Sequence, residues 1–126
     1  MYDMCFACGK DNPISLGLKF ETIDNNKVKA VFKPKTEHQG YEGVLHGGIV
    51  STLLDEAMVS AIVAQGLEAV TAELNIRFKE AITVNEELHI YGNIIQKKSK
   101  MIITEGEIRN QNDKLKAIGK GKFIIK

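Results

Sequence analysis

The sequence has 126 residues, 44% of them hydrophobic, and a formal net charge of +1 at neutral pH. This length and composition suit one domain over residues 1–126 with one ordinary core. The near-zero charge provides no broad positive field that would attract nucleic acid. No apolar stretch reaches the roughly 18 residues of a membrane span, and Met1–Cys5 lacks the basic residues of a secretion signal. We therefore expect a cytoplasmic protein that binds neither nucleic acid nor membranes.

Cys5 and Cys8 are the only two cysteines in the sequence. They lie too close together for a disulfide between them to cross-link distant parts of the fold. Without a second pair, they indicate reduced thiols in a cytosol. Their spacing resembles half of a zinc knuckle, but structural zinc takes four ligands and one chain supplies two. A dimer that pairs two such loops could complete the set. We expect no metal and no organic cofactor.

The first part of the chain predicts a hairpin and then a long loop. Two extended runs between Leu16 and Phe32 are separated by Asp24–Asn26, a polar cluster that suits a tight turn. Residues 33–48 are rich in glycine, proline and charged residues and show no periodicity, which indicates a connecting loop.

A helix is predicted over Gly48–Gln65, and Gly66 should end it. Apolar residues recur there at three- and four-residue spacing, at Val50, Leu53, Leu54, Ala57, Met58, Ala61 and Ile62. Asp55 and Glu56 are the only charged residues of this segment, so the helix should be buried nearly all round.

Strand-like segments that could surround this helix follow it, at Ala69–Glu80, Glu87–Lys97, Lys100–Asn110 and Lys114–Ile125. Apolar and polar residues alternate along the first segment, as in a half-buried strand. Consecutive hairpins predict an antiparallel sheet. The expected fold is therefore α+β, in the order β-β-α-β-β-β-β, with one long helix against the concave face of a curved antiparallel sheet.

Four segments resemble hotdog-fold thioesterases, especially the branch that acts in phenylacetate degradation and its mammalian acyl-CoA thioesterase relatives. Gly43–Ile49 (GVLHGGI) followed by Leu53–Ala57 (LLDEA) is similar to the family's G-x-x-H-G-G loop and acidic helix residue. Thr71–Phe78 resembles the next strand, and Cys5–Pro13 resembles an N-terminal loop of one subgroup. The resemblance implies a hotdog fold and hydrolysis of acyl-CoA or aryl-CoA to free acid and CoA. It also implies a homodimer with interfacial sites, or a homotetramer built from two such dimers.

The start of the predicted helix offers backbone N–H groups to a substrate. Such groups lack carbonyl partners, and the helix dipole adds partial positive charge there. Gly47 and Gly48 would let a thioester carbonyl approach closely and would stabilise the oxyanion of a tetrahedral intermediate. An isolated Gly-Gly pair more often marks a turn, but the helix that follows favours the oxyanion site.

Asp55 is the candidate general base or nucleophile. It lies about two helical turns after Gly47, in line with Ser51 and Val59. A carboxylate among apolar residues is costly to bury, so a catalytic role explains it better than a surface charge does. The neighbouring Glu56 points about 100° away, and a charge on the helix surface is the simpler interpretation for it.

The resemblance adds further site residues. Thr71 could hold the attacking water or the Asp55 carboxylate, although a β-branched residue also simply favours a strand. His46 could brace the loop or contact the thioester oxygen. The predicted catalytic residues are Asp55, Gly47, Gly48, His46 and Thr71. The predicted substrate-binding residues are Gly43, Ser51, Glu56, Lys120 and Lys122, where the lysines would either contact the CoA phosphates or belong to a solvated outer face.

Two other functions fit the same features. A hotdog domain can bind acyl-CoA without hydrolysing it, but the retained helix carboxylate favours an enzyme. An enoyl-CoA hydratase or dehydratase on this fold is expected to pair a histidine with an acidic residue, and here His46 is the plausible histidine.

Overall fold

The computed structural model describes residues 2–126 and contains one long helix and six strands. The strands are β1 (Glu21–Asp24), β2 (Lys27–Phe32), β3 (Ala69–Phe78), β4 (Leu88–Lys98), β5 (Met101–Arg109) and β6 (Leu115–Ile125), and the helix is α1 (Gly47–Val63). A short 3-10 turn, Thr36–His38, lies in the loop before the helix. The predicted helix is thus confirmed, with its start one residue earlier and its end two residues earlier than the apolar pattern indicates.

The six strands form one sheet in the order β1-β2-β4-β5-β6-β3, and every neighbouring pair is antiparallel. Helix α1 lies against this curved sheet and buries its apolar residues there. The predicted α+β architecture, one helix wrapped by a curved antiparallel sheet, is confirmed. The closest approach is at Gly92 on β4, where a Cβ atom would collide with the backbone carbonyl of Ala57. Only glycine allows the helix to lie this close to the sheet.

Strand β1 is shorter than the sequence predicts. The pattern indicates an extended run from Leu16, whereas the strand begins at Glu21. The N–H groups of Leu16 and Leu18 instead donate to the carbonyls of Phe6 and Ala7, at 2.9 and 3.0 Å. The N-terminal loop therefore takes the backbone partners that a longer β1 would have used.

Strand β3 forms one edge of the sheet and contains a bulge. Thr71 lies opposite Phe123 and Glu73 lies opposite Lys122, so Ala72 is the extra residue. The unbroken alternation predicted for this strand is therefore wrong at its start. Because a bulge shifts the pleat by one residue, Thr71 turns to the helix side of the sheet while Glu73 points away from it.

The only long helix of residues 2–126, α1, does not combine the length and apolar character that a membrane-spanning helix requires.

Candidate active site

The start of α1 is capped by the residue that precedes it. His46 is the N-cap, and its Nδ1 accepts the Gly48 N–H at 2.8 Å. The Gly48 N–H is therefore already engaged. Within residues 2–126 the Gly47 N–H has no acceptor, and the Phe78 ring lies beside Gly47, 3.7 Å from where a Cβ would stand. Of the two predicted oxyanion donors, the geometry leaves Gly47 open to a ligand.

The Asp55 carboxylate meets the hydroxyl of Thr71. The Thr71 Oγ1 donates a hydrogen bond of 2.8 Å to Asp55 Oδ1. The β3 bulge makes this contact possible, because a regular strand would point Thr71 to the same side as Glu73. The two residues lie 16 positions apart in the sequence, and the fold brings them together.

Asp55 is only half-buried, since it lies on the side of α1 that faces the edge strand β3. Burial raises the pKa of the Asp55 carboxyl above its ordinary value, and the Thr71 hydrogen bond opposes this rise by stabilising the ionised form. A partly desolvated carboxylate with one fixed hydrogen bond is well suited to accept a proton or to attack a carbonyl carbon.

Glu56 does not lie on the helix surface, so the surface interpretation is wrong. Its side chain is only 7% exposed and lies beside Cys8, under the N-terminal loop. Helical periodicity could not show this, because the covering residues are remote in sequence and carry no regular pattern. Burial raises the pKa of the Glu56 carboxyl, against a lowering by the Cys8 contact. Glu56 and Asp55 therefore face different surroundings on the same helix.

Gly43 and Ser51 have clear structural partners near the helix start. Gly43 has a φ of +78°, a conformation that favours glycine, and its N–H donates to Gln39 Oε1 at 2.6 Å. Ser51 donates from Oγ to the carbonyl of Gly47 at 3.2 Å, one turn before Asp55. Substrate contact by either residue stays a prediction.

Lys120 and Lys122 lie on the face of the sheet that points away from the helix. Gly121 between them faces the helix, where its nearest atoms include Met58 Sδ, so the two lysines point the opposite way. They line an outer groove of about 610 Å³, and Lys122 Nζ lies 3.9 Å from the Glu73 carboxylate. The fold therefore does not gather these lysines around Asp55, and a contact with CoA phosphates stays a prediction.

Lys116, on the same strand as Lys120 and Lys122, is buried. Its Nζ lies 3.2 Å from the Glu86 carboxylate and donates to the carbonyl of Ala81 at 3.1 Å. Asn110 donates to the same Glu86 carboxylate at 2.9 Å. This ion pair forms at the start of β6, where the loop before β4 covers the strand.

Phe78 and Cys8 are the site residues that the sequence analysis missed. Phe78 was expected only as one apolar residue of a strand, yet it packs beside Gly47 at the helix start. Cys8 was considered only with Cys5, yet it also meets Glu56. Each contact joins segments that are far apart along the chain, so no local spacing indicates it.

Comparison with known proteins identifies the family of this chain. The family described as the thioesterase superfamily matches residues 42–117, which include the loop before α1, the helix and strands β3 to β5. A Saccharolobus solfataricus protein, provisionally named as an esterase, is 31% identical over 112 residues, covering 87% of this chain and 79% of that protein. Human acyl-coenzyme A thioesterase 13 is 27% identical over 87 residues, covering 68% of this chain and 62% of the human protein.

A solved structure shows the same fold. The hypothetical thioesterase of Streptococcus pneumoniae, crystallised with coenzyme A, superposes with a TM-score of 0.81 at 21% identity, covering 86% of this chain and 87% of that one. The hotdog fold expected from the resemblance is therefore confirmed. Together with the family match over residues 42–117, this shows that the chain belongs to the thioesterase superfamily.

Proposed function

We propose that this protein hydrolyses acyl-CoA thioesters to a free acid and CoA, with Asp55 as the general base or nucleophile. The observation that carries the proposal is the hydrogen bond of 2.8 Å from Thr71 to Asp55, two turns below a helix start whose Gly47 N–H is open. The names of the relatives support the substrate class. The human relative is named as an acyl-coenzyme A thioesterase, and the Streptococcus pneumoniae structure holds coenzyme A.

The proposed chemistry needs one carboxylate and one oxyanion donor. As a base, Asp55 would take a proton from water while the hydroxide attacks the thioester carbon, and the Gly47 N–H would stabilise the resulting oxyanion. Collapse of this intermediate would break the C–S bond and release the CoA thiolate, which takes up the proton. A thiolate with a solution pKa of about 8.5 leaves without strong acid assistance. As a nucleophile, Asp55 would attack the thioester carbon and expel the CoA thiolate, and water would then hydrolyse the resulting acyl anhydride to the free acid and the restored Asp55 carboxylate.

Thr71 acts in this proposal as a positioning residue for the Asp55 carboxylate. Thr71→Val keeps the shape of the side chain but removes the donor to the carboxylate. Since a hydrogen bond to a charged group contributes about 1.5–3 kcal/mol, we expect kcat for acyl-CoA hydrolysis to fall by ~10-fold or more, with KM nearly unchanged. Thr71→Ser retains the hydroxyl and should restore most of the rate. Equal losses in both variants would mean that packing at this position, and not the hydrogen bond, matters.

One spectrophotometric comparison separates hydrolysis from the alternative functions. The protein is mixed with a panel of aryl, short-chain and long-chain acyl-CoAs, and released thiol is followed; enoyl-CoA hydration is followed in parallel. We expect thiol release without hydration. The His46 cap supports this choice, because its Nδ1 is already engaged by Gly48. Hydration without thiol release would identify a hydratase, and binding without either reaction would identify an acyl-CoA-binding module.

We also propose a homodimer that pairs through strand β3. This strand is ten residues long and lies at a sheet edge. Two of its apolar residues are largely exposed to solvent, Val70 by 50% of its surface and Phe78 by 55%. A long edge strand that exposes apolar side chains and unpaired backbone groups is a template for pairing with another chain. Thr71, which contacts Asp55, lies on this strand. A second copy paired with β3 would therefore cover the candidate active site on that side. Light scattering at assay concentration should give the mass of a dimer, or of a tetramer built from two dimers. A fully active monomer would contradict the proposal.

A further inference from the structure

The N-terminal loop brings two thiols to the buried carboxylate of the central helix. The Sγ atoms of Cys5 and Cys8 and a carboxylate oxygen of Glu56 all lie within 4.8 Å of one another. We propose that Cys5, Cys8 and Glu56 form a binding site for a thiophilic divalent cation such as Zn²⁺. The site lies apart from the proposed catalytic contact between Asp55 and Thr71.

The unpartnered oxygen of Glu56 is the second observation that points to a cation. Glu56 is 7% exposed, and its Oε2 is buried with no hydrogen-bond partner among residues 2–126. A buried carboxylate oxygen without a partner is costly, because it loses its hydration and receives nothing in return. The ion pairs formed by the described residues do not include Glu56 either. A divalent cation beside Oε2 would remove this cost.

The donor set suits zinc. Two thiolates and one carboxylate are ligands that Zn²⁺ accepts, at about 2.3 Å for sulfur and about 2.0–2.2 Å for oxygen. Two sulfurs bound to one tetrahedral Zn²⁺ lie about 3.8 Å apart. Because the two Sγ atoms lie within 4.8 Å of each other, that distance would have to shorten by no more than about 1 Å. The turn that carries both cysteines is closed by the Gly9 N–H, which donates to the carbonyl of Cys5 at 2.8 Å. Both sulfurs are thereby held on one side of the loop.

The fourth coordination position has room for a water molecule. Cys8, Glu56 and Ser60 line a cavity of about 380 Å³ that is open to solvent. A water entering from this cavity would complete four-coordinate geometry without a ligand from a second chain. This site therefore differs from the bridged dimer that the Cys-x-x-Cys spacing alone allows. It predicts one cation per chain, whereas two paired loops would give one cation per two chains.

Bound metal would fasten the N-terminal loop to α1 at the residue next to Asp55. The part of this loop that the structure describes contains no helix or strand, and it meets the core through the buried Ala7 and meets Glu56 through the thiols of Cys5 and Cys8. A metal bond between loop and helix would stabilise the folded chain, since the unfolded chain does not preserve the three-ligand arrangement.

Cobalt titration of the full chain tests the proposal without any activity assay. Co²⁺ in a tetrahedral site with thiolate ligands gives sulfur-to-metal charge-transfer absorption and intense d–d bands. We expect both bands to saturate at one Co²⁺ per chain and to disappear when Zn²⁺ is added. Elemental analysis after dialysis against Zn²⁺ should likewise find one zinc per chain.

Matched variants assign the ligands. Glu56→Gln keeps the side-chain size but should lose saturable binding, and Cys5→Ala should lose both bands. Asp55→Asn removes the neighbouring carboxylate on another side of the helix and should titrate as the parent does. Circular dichroism confirms that each variant is folded, and Cys5→Ala, at a half-buried loop position, provides the test if Glu56→Gln fails to fold.

The proposal fails if the parent chain shows no cobalt bands and takes up no zinc. It also fails if binding saturates at one metal per two chains and survives Glu56→Gln, because that result would identify the bridged dimer.

Discussion

Asp55→Asn is expected to lower kcat for acyl-CoA hydrolysis by at least ~100-fold. The amide keeps the size of the side chain and can still accept the Thr71 hydrogen bond seen at 2.8 Å, but it can neither take a proton from water nor form an anhydride. Folding should persist, because a neutral amide is less costly than a carboxylate at this half-buried position. Steady-state thiol release under saturating acyl-CoA measures the effect.

Asp113→Asn provides the matched control. Asp113 lies in the turn between β5 and β6, is exposed, and has a φ of +63°, which asparagine also tolerates. The same chemical change there loses only an exposed ion pair with Arg109 at 3.8 Å, so it should leave kcat within ~2-fold of the parent. An Asp55→Asn variant that turns over as fast as Asp113→Asn would remove Asp55 from the mechanism.

Gly92→Ala is expected to destabilise the fold by about 2–3 kcal/mol or more. The new methyl group would meet the backbone carbonyl of Ala57, which a side-chain rotation cannot move aside. The helix would have to lift from β4, and the packing of its buried residues against the sheet would loosen. Urea denaturation at fixed protein concentration measures the change in the free energy of unfolding.

Gly40→Ala shows whether the effect is specific to the contact between helix and sheet. A Cβ at Gly40 would stand 3.4 Å from the nearest atoms of His46, which is an ordinary contact distance. This variant should change the free energy of unfolding by less than ~1 kcal/mol. If Gly92→Ala were equally mild, the close packing of α1 on β4 would not be a requirement of the fold.

The sequence predicts the helix and the four strands after it to within two residues at each end. These elements are long and strongly periodic, and tertiary contacts agree with their local pattern. The two features of the sheet that the sequence does not predict, the late start of β1 and the bulge in β3, have a common cause. The residues expected to begin β1 form backbone hydrogen bonds with the N-terminal loop instead, and β3 contains a bulge at Ala72. Each depends on pairing between remote segments, which alternation within one strand does not report.

The candidate site was only partly predictable, for the same physical reason. Helical spacing and the resemblance select Asp55, and the structure then places it against Thr71. The same spacing treats Glu56 as a surface charge, because the periodicity of a helix shows which residues share a face but not which loop covers that face. The capping of Gly48 by His46 was also open, since the sequence allows His46 either to brace the loop or to meet the substrate.

Binding and chemistry measured side by side in Asp55→Asn show whether Asp55 acts in the chemical step of hydrolysis. Calorimetric titration of the Asp55→Asn variant with intact acyl-CoA gives its Kd. Single-turnover thiol release by the parent and by the variant gives the rate of the chemical step in each. We expect the Kd of the variant to lie within ~3-fold of the parent KM and its chemical step to be at least ~100-fold slower. A parent chain that binds acyl-CoA but releases no thiol, or a variant that hydrolyses at the parent rate, would rule out Asp55 as the base or nucleophile of a thioesterase.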